Sequence, residues 1–322
     1  MNNRIWFKIL YVCASTLICL FLIEGFLYIQ NYSKNYKKFP VKIFERNFTV
    51  NSNIDNLRNK KDLNLFIGDS FTKGEVCAGS KKDLVSQFNK LQNSYYQNLG
   101  IQNGNPIRYI ELLNNFKLNQ ISRVVLVLYY NDINLDKSAC YFYKKQKNKI
   151  NFYPKSCDKI LKTDVDSSND SIFKKIDNFL ENKLRLWLLI REGLVNVPYL
   201  KKFYNRSSWR PYFSAEDSEQ NKAILYDIKY LKEKFENTSI KFYVTYYPDV
   251  NYLKSDNPTA KSWRDFTNIA KNIYGIKIYD PWSYFLENKN KNNMSWSLID
   301  NHPNCDAHLI MAKYLKEKVL ID

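Results

Sequence analysis

The chain contains very few side chains that could accept a proton from a nucleophile near neutral pH. Only two of its 322 residues are histidines, His302 and His308, and both lie close to the C-terminus. Histidine is the usual base that converts a serine hydroxyl into a nucleophile. Asp300 stands two residues before His302, where it could hold the imidazole tautomer, and Pro303 fixes the backbone just beyond. The alternative is a loop that carries one surface histidine.

A serine suited to such a base follows the first apolar run after residue 62. Residues 63–68 predict a buried strand, and the chain continues directly into Asp69, Ser70, Phe71 and Thr72. A serine at the turn from a strand to a helix exposes its hydroxyl and has backbone N–H groups aimed near it. Gly-Asp-Ser also occurs in ordinary turns, so this segment is a weak signal by itself. With a histidine as its partner, Ser70 is the predicted nucleophile.

Short apolar runs alternate with helical segments from residue 62 onward, which predicts an α/β domain with a mainly parallel sheet. The predicted strands cover residues 63–68, 95–101, 124–130, 240–247 and 276–279. The predicted helices include residues 83–91, 107–116 and about 307–320. The carboxyl ends of parallel strands share one edge of a sheet, so Ser70, Gly100 and Asn131 are expected to lie near one another.

Four segments, in this order, resemble the sequence blocks of the SGNH/GDSL hydrolase family over nearly the whole chain after residue 62. Residues 68–72 (Gly-Asp-Ser-Phe-Thr) resemble the nucleophile block, and residues 98–100 (Asn-Leu-Gly), followed by Gly104, resemble the second block. Residues 130–132 (Tyr-Asn-Asp) resemble the third block and residues 300–304 (Asp-Asn-His-Pro-Asn) the last. The resemblance implies a three-layer, flavodoxin-like α/β domain that forms an acyl-enzyme and needs no metal or organic cofactor.

The same resemblance assigns a role to each site residue. Ser70 would be the nucleophile, His302 its base and Asp300 the acid that orients the base. The backbone N–H groups of Ser70 and Gly100, with the side-chain amide of Asn131, would form the oxyanion site. The alternatives are a strand-end turn at Asn131 and a backbone position that needs glycine at Gly100.

Three departures from the family pattern stand near the site. Tyr129 replaces a glycine that usually lies two residues before the asparagine, and it could narrow the pocket. Asp300 lies two residues before the histidine, where many relatives have three, so its role is less secure than that of His302. Ala307 replaces a glycine that commonly follows the last block. None of the three removes a reacting group.

Four cysteines lie outside the N-terminal apolar run, an even number that is consistent with oxidation outside the cytoplasm. A disulfide between Cys140 and Cys157 would close a loop worth about 3 kcal/mol in the chain-entropy model. Cys77 follows the nucleophile turn and Cys305 follows the base, so a bond between them would brace the site. Free buried thiols are the alternative.

The N-terminal residues predict a membrane anchor. Residues 9–29 are almost continuously apolar, which is about the length that a bilayer needs. We therefore predict a tail at residues 1–8, a transmembrane anchor at 9–30, a linker at 31–61, and a domain at 62–322 with an insertion at 137–215. A cleavable signal peptide is the alternative to the anchor. More basic residues follow the span than precede it, which would keep the domain in the cytoplasm, whereas the cysteines favour an extracytoplasmic domain.

The formal net charge of +17 would attract anionic lipid, acidic glycan or nucleic acid, although an ordinary solvated surface also explains it. No nucleic-acid motif stands out, so no nucleic-acid partner is expected.

The family resemblance suggests an esterase that removes acetyl groups from a cell-envelope polysaccharide. Two alternatives are an O-acetyltransferase supplied by a membrane acyl-donor partner, and a non-catalytic, membrane-tethered glycan-binding protein.

Overall fold

Parallel strands form the central sheet of the unit made of residues Lys37–Asp164 and Arg210–Asp322. The computed structural model describes residues 15–16, 18–20, 22, 39–43, 46–74, 77, 80–133, 137–145, 153–162, 218–250, 253, 258–288, 294–295 and 302–321. The strands are β1 (Phe39–Ile43), β2 (Arg46–Val50), β3 (Leu63–Gly68), β4 (Tyr96–Gly100), β5 (Ile121–Leu128), β6 (Lys241–Tyr246) and β7 (Ile278–Tyr279).

Helices connect these strands. They are α1 (Ile54–Leu57), α2 (Ser70–Lys73), α3 (Leu84–Gln92), α4 (Pro106–Leu113), α5 (Lys137–Lys145), α6 (Ser156–Lys162), α7 (Glu219–Glu236), α8 (Pro258–Tyr274), α9 (Trp282–Asn288) and α10 (Cys305–Tyr314). Short 3₁₀ turns cover Leu118–Gln120 and Tyr130–Ile133, and a π-helical segment, Leu315–Val319, extends α10. The predicted α/β class and mainly parallel sheet are confirmed.

The strand order of the main sheet is β4-β3-β5-β6-β7, and every neighbouring pair in it is parallel. This is the order of flavodoxin-like folds, in which the chain moves to one side of the first strand and then to the other. The first strand here is β3, so the switch point lies between β3 and β5. Ligand sites of open α/β sheets lie beyond the carboxyl ends of the strands at such a point.

All five predicted strands are present; β3 has its predicted ends, and the other four have shifted ends. The side chains of β3 and β5 are mostly buried, as expected for strands covered on both faces. β5 begins at Ile121 and ends at Leu128, because the residues that follow wind into the 3₁₀ turn Tyr130–Ile133. β7 is limited to Ile278–Tyr279.

The predicted linker at residues 31–61 is wrong from residue 39 onward. β1 and β2 form an antiparallel hairpin there, and α1 follows it. Val41, Val50, Ile54 and Leu57 are buried in the same core as the main sheet. Lysines and asparagines separate these apolar residues in the sequence, so the segment resembles a polar linker although its apolar side chains pack inward. The domain therefore begins by residue 39, not at 62.

The predicted insertion at residues 137–215 begins with α5 and α6. The disulfide Cys140–Cys157 joins them, and Phe142 and Tyr143 are buried. The sequence also predicts a helix around residues 172–195, which lie outside the described residues.

The described N-terminal residues 15, 16, 18–20 and 22 are helical. Within the parts of the chain that the structure describes, no helix combines the length and the apolar character needed to cross a membrane. Most of the predicted anchor at residues 9–30 lies outside those parts, so the anchor and its orientation stay predictions.

Candidate active site

The site is built around a contact between two residues that lie 232 positions apart in the chain. Nε2 of His302 lies 2.9 Å from Oγ of Ser70. In the tautomer that carries its proton on Nδ1, Nε2 accepts the hydroxyl proton, which is the arrangement of a nucleophile with its general base. The other histidine, His308, is fully buried, and its Nδ1 lies 3.2 Å from the hydroxyl of Tyr247. Burial lowers the pKa of His308 to about 3, with a smaller contribution from the charge of His302.

Ser70 is placed by the short helix α2, which begins directly after β3. Asp69 has an extended backbone and caps this helix, because its Oδ1 accepts a hydrogen bond of 2.9 Å from the N–H of Phe71. Gly74 ends the helix with a left-handed φ of 64°. Ser70 is only 6% exposed. Its backbone N–H belongs to the first turn, where amides have no acceptor within the helix.

His302 is placed by the start of α10. Asn304 caps this helix, and its Oδ1 accepts from the N–H groups of Asp306 and Ala307 at 3.1 and 3.0 Å. Asn304 itself donates through its backbone N–H to the carbonyl of Met294 at 2.9 Å. These contacts fix the backbone on the C-terminal side of the base. Asp300, the predicted orienting acid, lies outside the described residues, and its role stays a prediction.

Asp69 is a site residue for which sequence analysis predicted no role. Its carboxyl is fully buried, and burial raises its pKa to about 6. The N–H of Phe71, the charge of His302 and a hydrogen bond from the side chain of Asn131 oppose this rise. Asp69 therefore lies between the nucleophile turn, the base and the turn after β5. Its position just before a helix was a capping signal that could have identified it.

Asn131 lies in the 3₁₀ turn after β5, and its side chain reaches Asp69. The turn is held by Asp132, whose Oδ2 accepts from the N–H of Tyr129 at 2.7 Å and whose Oδ1 accepts from the hydroxyl of Tyr109 at 2.6 Å. Burial, reinforced by the charge of Asp69, keeps the pKa of Asp132 well above its usual range. An asparagine amide has two N–H donors, so one can serve Asp69 while the other is left for a second acceptor.

The backbone N–H of Gly100 has an acceptor within the protein. It donates to Oδ1 of Asn98 at 3.0 Å, which argues against Gly100 as an oxyanion donor. The glycine serves a close approach instead. A Cβ atom at this position would lie 2.3 Å from the backbone N of Lys73 and 2.9 Å from the carbonyl carbon of Thr72. The structure therefore brings Ser70, His302 and Asn131 to one edge of the sheet. Gly100 packs against the backbone of α2.

Aromatic side chains pack beside the nucleophile. The ring of Phe71 stacks on Tyr129 with a centroid distance of 3.6 Å, and it lies 4.9 Å from the ring of His302 and 5.6 Å from Tyr247. Tyr129, at the position where the SGNH/GDSL pattern has a glycine, is buried. The stacked pair therefore lies against the ring of the base, and Phe71 directly follows Ser70 in the chain.

Metal ligands are not evident in the described part of the chain. No three histidine, cysteine or acidic side chains are grouped there as they would be around a metal ion.

No protein-family model matches the chain, and no curated protein matches it. Among solved structures, an acetyl xylan esterase is similar to it, with a TM-score of 0.42 and 11% sequence identity. The match covers 80% of this chain and 100% of the esterase chain. A likeness of this size carries no weight for fold or activity, so the function rests on the site itself.

Proposed function

We propose that the protein is a serine esterase of the SGNH/GDSL type, which removes short acyl groups through an acyl-enzyme. The contact of 2.9 Å between Ser70 Oγ and His302 Nε2 carries this proposal. It occurs beyond the carboxyl end of β3, at the switch point of a parallel sheet, where open α/β folds place their ligands. The ordered sequence blocks that contain Ser70, Asn131 and His302 support the same family.

The reaction begins when Ser70 Oγ attacks the ester carbonyl while its proton moves to His302 Nε2. The tetrahedral oxyanion is stabilised by the N–H of Ser70 and the amide of Asn131. The C–O bond to the alcohol then breaks, and the alcohol leaves with the proton from His302. Water, activated by the same histidine, releases the acyl group and restores Ser70. Asp300 is proposed to orient the base.

Two features support a short acyl group on an anionic polymer as the substrate. The stacked rings of Phe71 and Tyr129 occupy space beside the nucleophile, which favours acetyl over longer chains. The formal net charge of +17 favours association with an anionic surface or glycan. An acetylated cell-envelope polysaccharide combines both properties. With the predicted membrane anchor, the domain would act close to the cell surface.

A transferase is the second candidate, and the burial of the nucleophile favours it. Ser70 is 6% exposed, and a sheltered acyl-enzyme gives a sugar hydroxyl a better chance to compete with water. The protein would then be an O-acetyltransferase that uses the same residues, with a membrane partner as the acyl donor. Adding an oligosaccharide acceptor to the acyl-enzyme separates the two candidates. Acetylated oligosaccharide indicates a transferase, and free acetate indicates an esterase.

Hydrolysis of p-nitrophenyl acetate by the full-length protein tests the proposal. Ser70→Ala and His302→Ala should each lower kcat by about 1,000-fold or more, because nucleophile and base act as a unit. Ser122→Ala is a matched control, since the Ser122 hydroxyl contacts Asp62 on an exposed part of the surface. It should retain wild-type activity. A folded wild-type protein that is no faster than the two site variants would contradict simple esterase activity.

A further inference from the structure

A disulfide joins the two chain segments that carry the nucleophile and the base. Cys77 and Cys305 are bonded, with their Cα atoms 5.5 Å apart. The N–H of Cys77 donates at 2.9 Å to the carbonyl of Gly74, the residue that ends the helix of Ser70. Cys305 is the first residue of α10, three residues after His302. The covalent bond therefore links both partners of the 2.9 Å contact through short pieces of chain.

Other contacts hold α10 in place independently of this bond. The side chain of Gln87, in α3, donates to the carbonyl of Cys305 at 2.7 Å. Asn304 caps the helix, and Ala307, Met311 and Ala312 are buried in the core. Opening the disulfide should therefore leave α10 folded. Without the bond, the distance between the turn that carries Ser70 and the segment that carries His302 is no longer fixed covalently. A hydrogen bond tolerates only a few tenths of an ångström of displacement.

We propose that Cys77 and Cys305 are positioning residues, whose bond holds His302 in reach of Ser70, and that a small dithiol inhibits the folded protein by opening it. This inference rests on the proposed function of Ser70 and His302. In the exchange, the S–S bond breaks and two thiols form, while the dithiol is oxidised to its own disulfide. The site thus depends on an oxidising environment even though neither cysteine reacts with the substrate.

The two disulfides differ in how easily a reductant can reach them. Cys305 is half-buried, whereas its partner Cys77 is fully buried. In the second disulfide, both Cys140 and Cys157 are fully buried. Thiol–disulfide exchange requires access to a sulfur atom, so the bond at the site should open first. The disulfide between Cys140 and Cys157 is therefore a matched control within the same chain.

The test follows hydrolysis of p-nitrophenyl acetate by the full-length protein as dithiothreitol is added. Alkylation with mass spectrometry reports which cysteines have opened, and circular dichroism reports the fold. We expect Cys77 and Cys305 to open first, and kcat to fall by about 100-fold with little change in KM, because a displaced base no longer matches the transition state. Cys77→Ser/Cys305→Ser should have the same low kcat and no response to the dithiol. Cys140→Ser/Cys157→Ser should match the wild type in both.

An opened bond between Cys77 and Cys305 in a folded protein with unchanged kcat would overturn the positioning role. If the Cys77→Ser/Cys305→Ser variant does not fold, the reduced wild-type protein decides. Failure of the proposed function has a different signature, because the oxidised wild type would then have no activity to lose. In that case the NMR signals of the His302 ring provide the test. A change in their chemical shifts on reduction supports the positioning role, and unchanged chemical shifts refute it.

Discussion

The residues next to Ser70 in the chain create much of its setting. Asp69 caps α2 and reaches towards His302 and Asn131, while Phe71 turns its ring onto Tyr129. At the scale of single residues, the two predicted oxyanion donors outside α2 have different surroundings. The amide of Asn131 lies beside the nucleophile turn, whereas the N–H of Gly100 is already donated to a side chain.

Substitutions of Asn131 and Gly100 should therefore fail in different ways. Asn131→Ala should lower kcat by about 100- to 1,000-fold, the usual cost of losing one oxyanion donor. Gly100→Ala should instead lower the free energy of unfolding by about 1–3 kcal/mol or more, because the added Cβ collides with the backbone of α2. Thermal unfolding and p-nitrophenyl acetate kinetics separate the two effects. A Gly100→Ala variant that is as stable as the wild type would contradict the close approach of Gly100 to α2.

The preference of the enzyme for short acyl chains should depend on Tyr129. Tyr129→Ala removes the ring that stacks on Phe71 and opens space beside Ser70. The ratio of kcat/KM for p-nitrophenyl butyrate to that for the acetate should rise by about 10-fold or more, since each methylene group accommodated in a pocket is worth about 1–3 kcal/mol. Tyr230→Ala, at an exposed tyrosine of α7, is the control. An unchanged ratio would show that the acyl group lies elsewhere.

At the scale of secondary structure, the hairpin of β1 and β2 supports the helix of the nucleophile. Nζ of the buried Lys73 donates to Oγ1 of Thr49 at 2.9 Å, and the side chain of Asn51 donates to the carbonyl of Lys73 at 2.7 Å. Lys73 is the last residue of α2. The segment between the predicted anchor and the sheet is therefore part of the support of the site.

The stability of the domain should depend on this segment. Ile54→Ala should lower the free energy of unfolding by about 2–5 kcal/mol, because Ile54 is only 4% exposed within the core. Ile273→Ala is the matched control, since Ile273 is 64% exposed. Denaturant unfolding of the two variants measures the difference. Equal stabilities would mean that residues 39–57 act as a linker after all.

Helices α5 and α7 meet at a buried pair that should make stability depend on pH. The hydroxyl of Tyr143 donates to Oδ2 of Asp227, and burial raises the pKa of Asp227 from 3.8 to about 7. The native state then holds this proton more tightly than the unfolded state. The resulting stability is fully present below pH 3.8 and is lost as the pH rises to about 7.

Asp227→Asn should remove this loss, because the amide oxygen still accepts from Tyr143 and never ionises. Relative to the wild type, the variant should gain stability steadily between about pH 4 and pH 7, as measured by denaturant unfolding. Asp158→Asn is the control, since Asp158 accepts from Tyr153 at an exposed position. A difference in stability that does not change with pH would contradict the buried, protonated carboxyl.

At the scale of the whole molecule, the features that sequence could predict were those carried by continuous patterns. The apolar runs located all five strands of the main sheet, and the scarcity of histidine singled out His302 as the partner of Ser70. Both disulfides in the structure join cysteines whose pairing the sequence suggests. These signals are local or involve very few candidates.

The remaining features depend on contacts that no local pattern encodes. The stacking of Phe71 on Tyr129 joins turns after β3 and β5, and it became visible only when those strands were placed side by side. The core residues of the β1–β2 segment were hidden because polar residues separate them in sequence.

The central claim is that Ser70 is a nucleophile activated by His302. It is tested most directly by labelling the full-length protein with a fluorophosphonate and locating the adduct by mass spectrometry. We expect one adduct, on Ser70, in the wild type, no adduct in Ser70→Ala, and labelling slowed by about 1,000-fold in His302→Ala. A folded wild-type protein that stays unlabelled, or one that is labelled equally fast without His302, would contradict the claim.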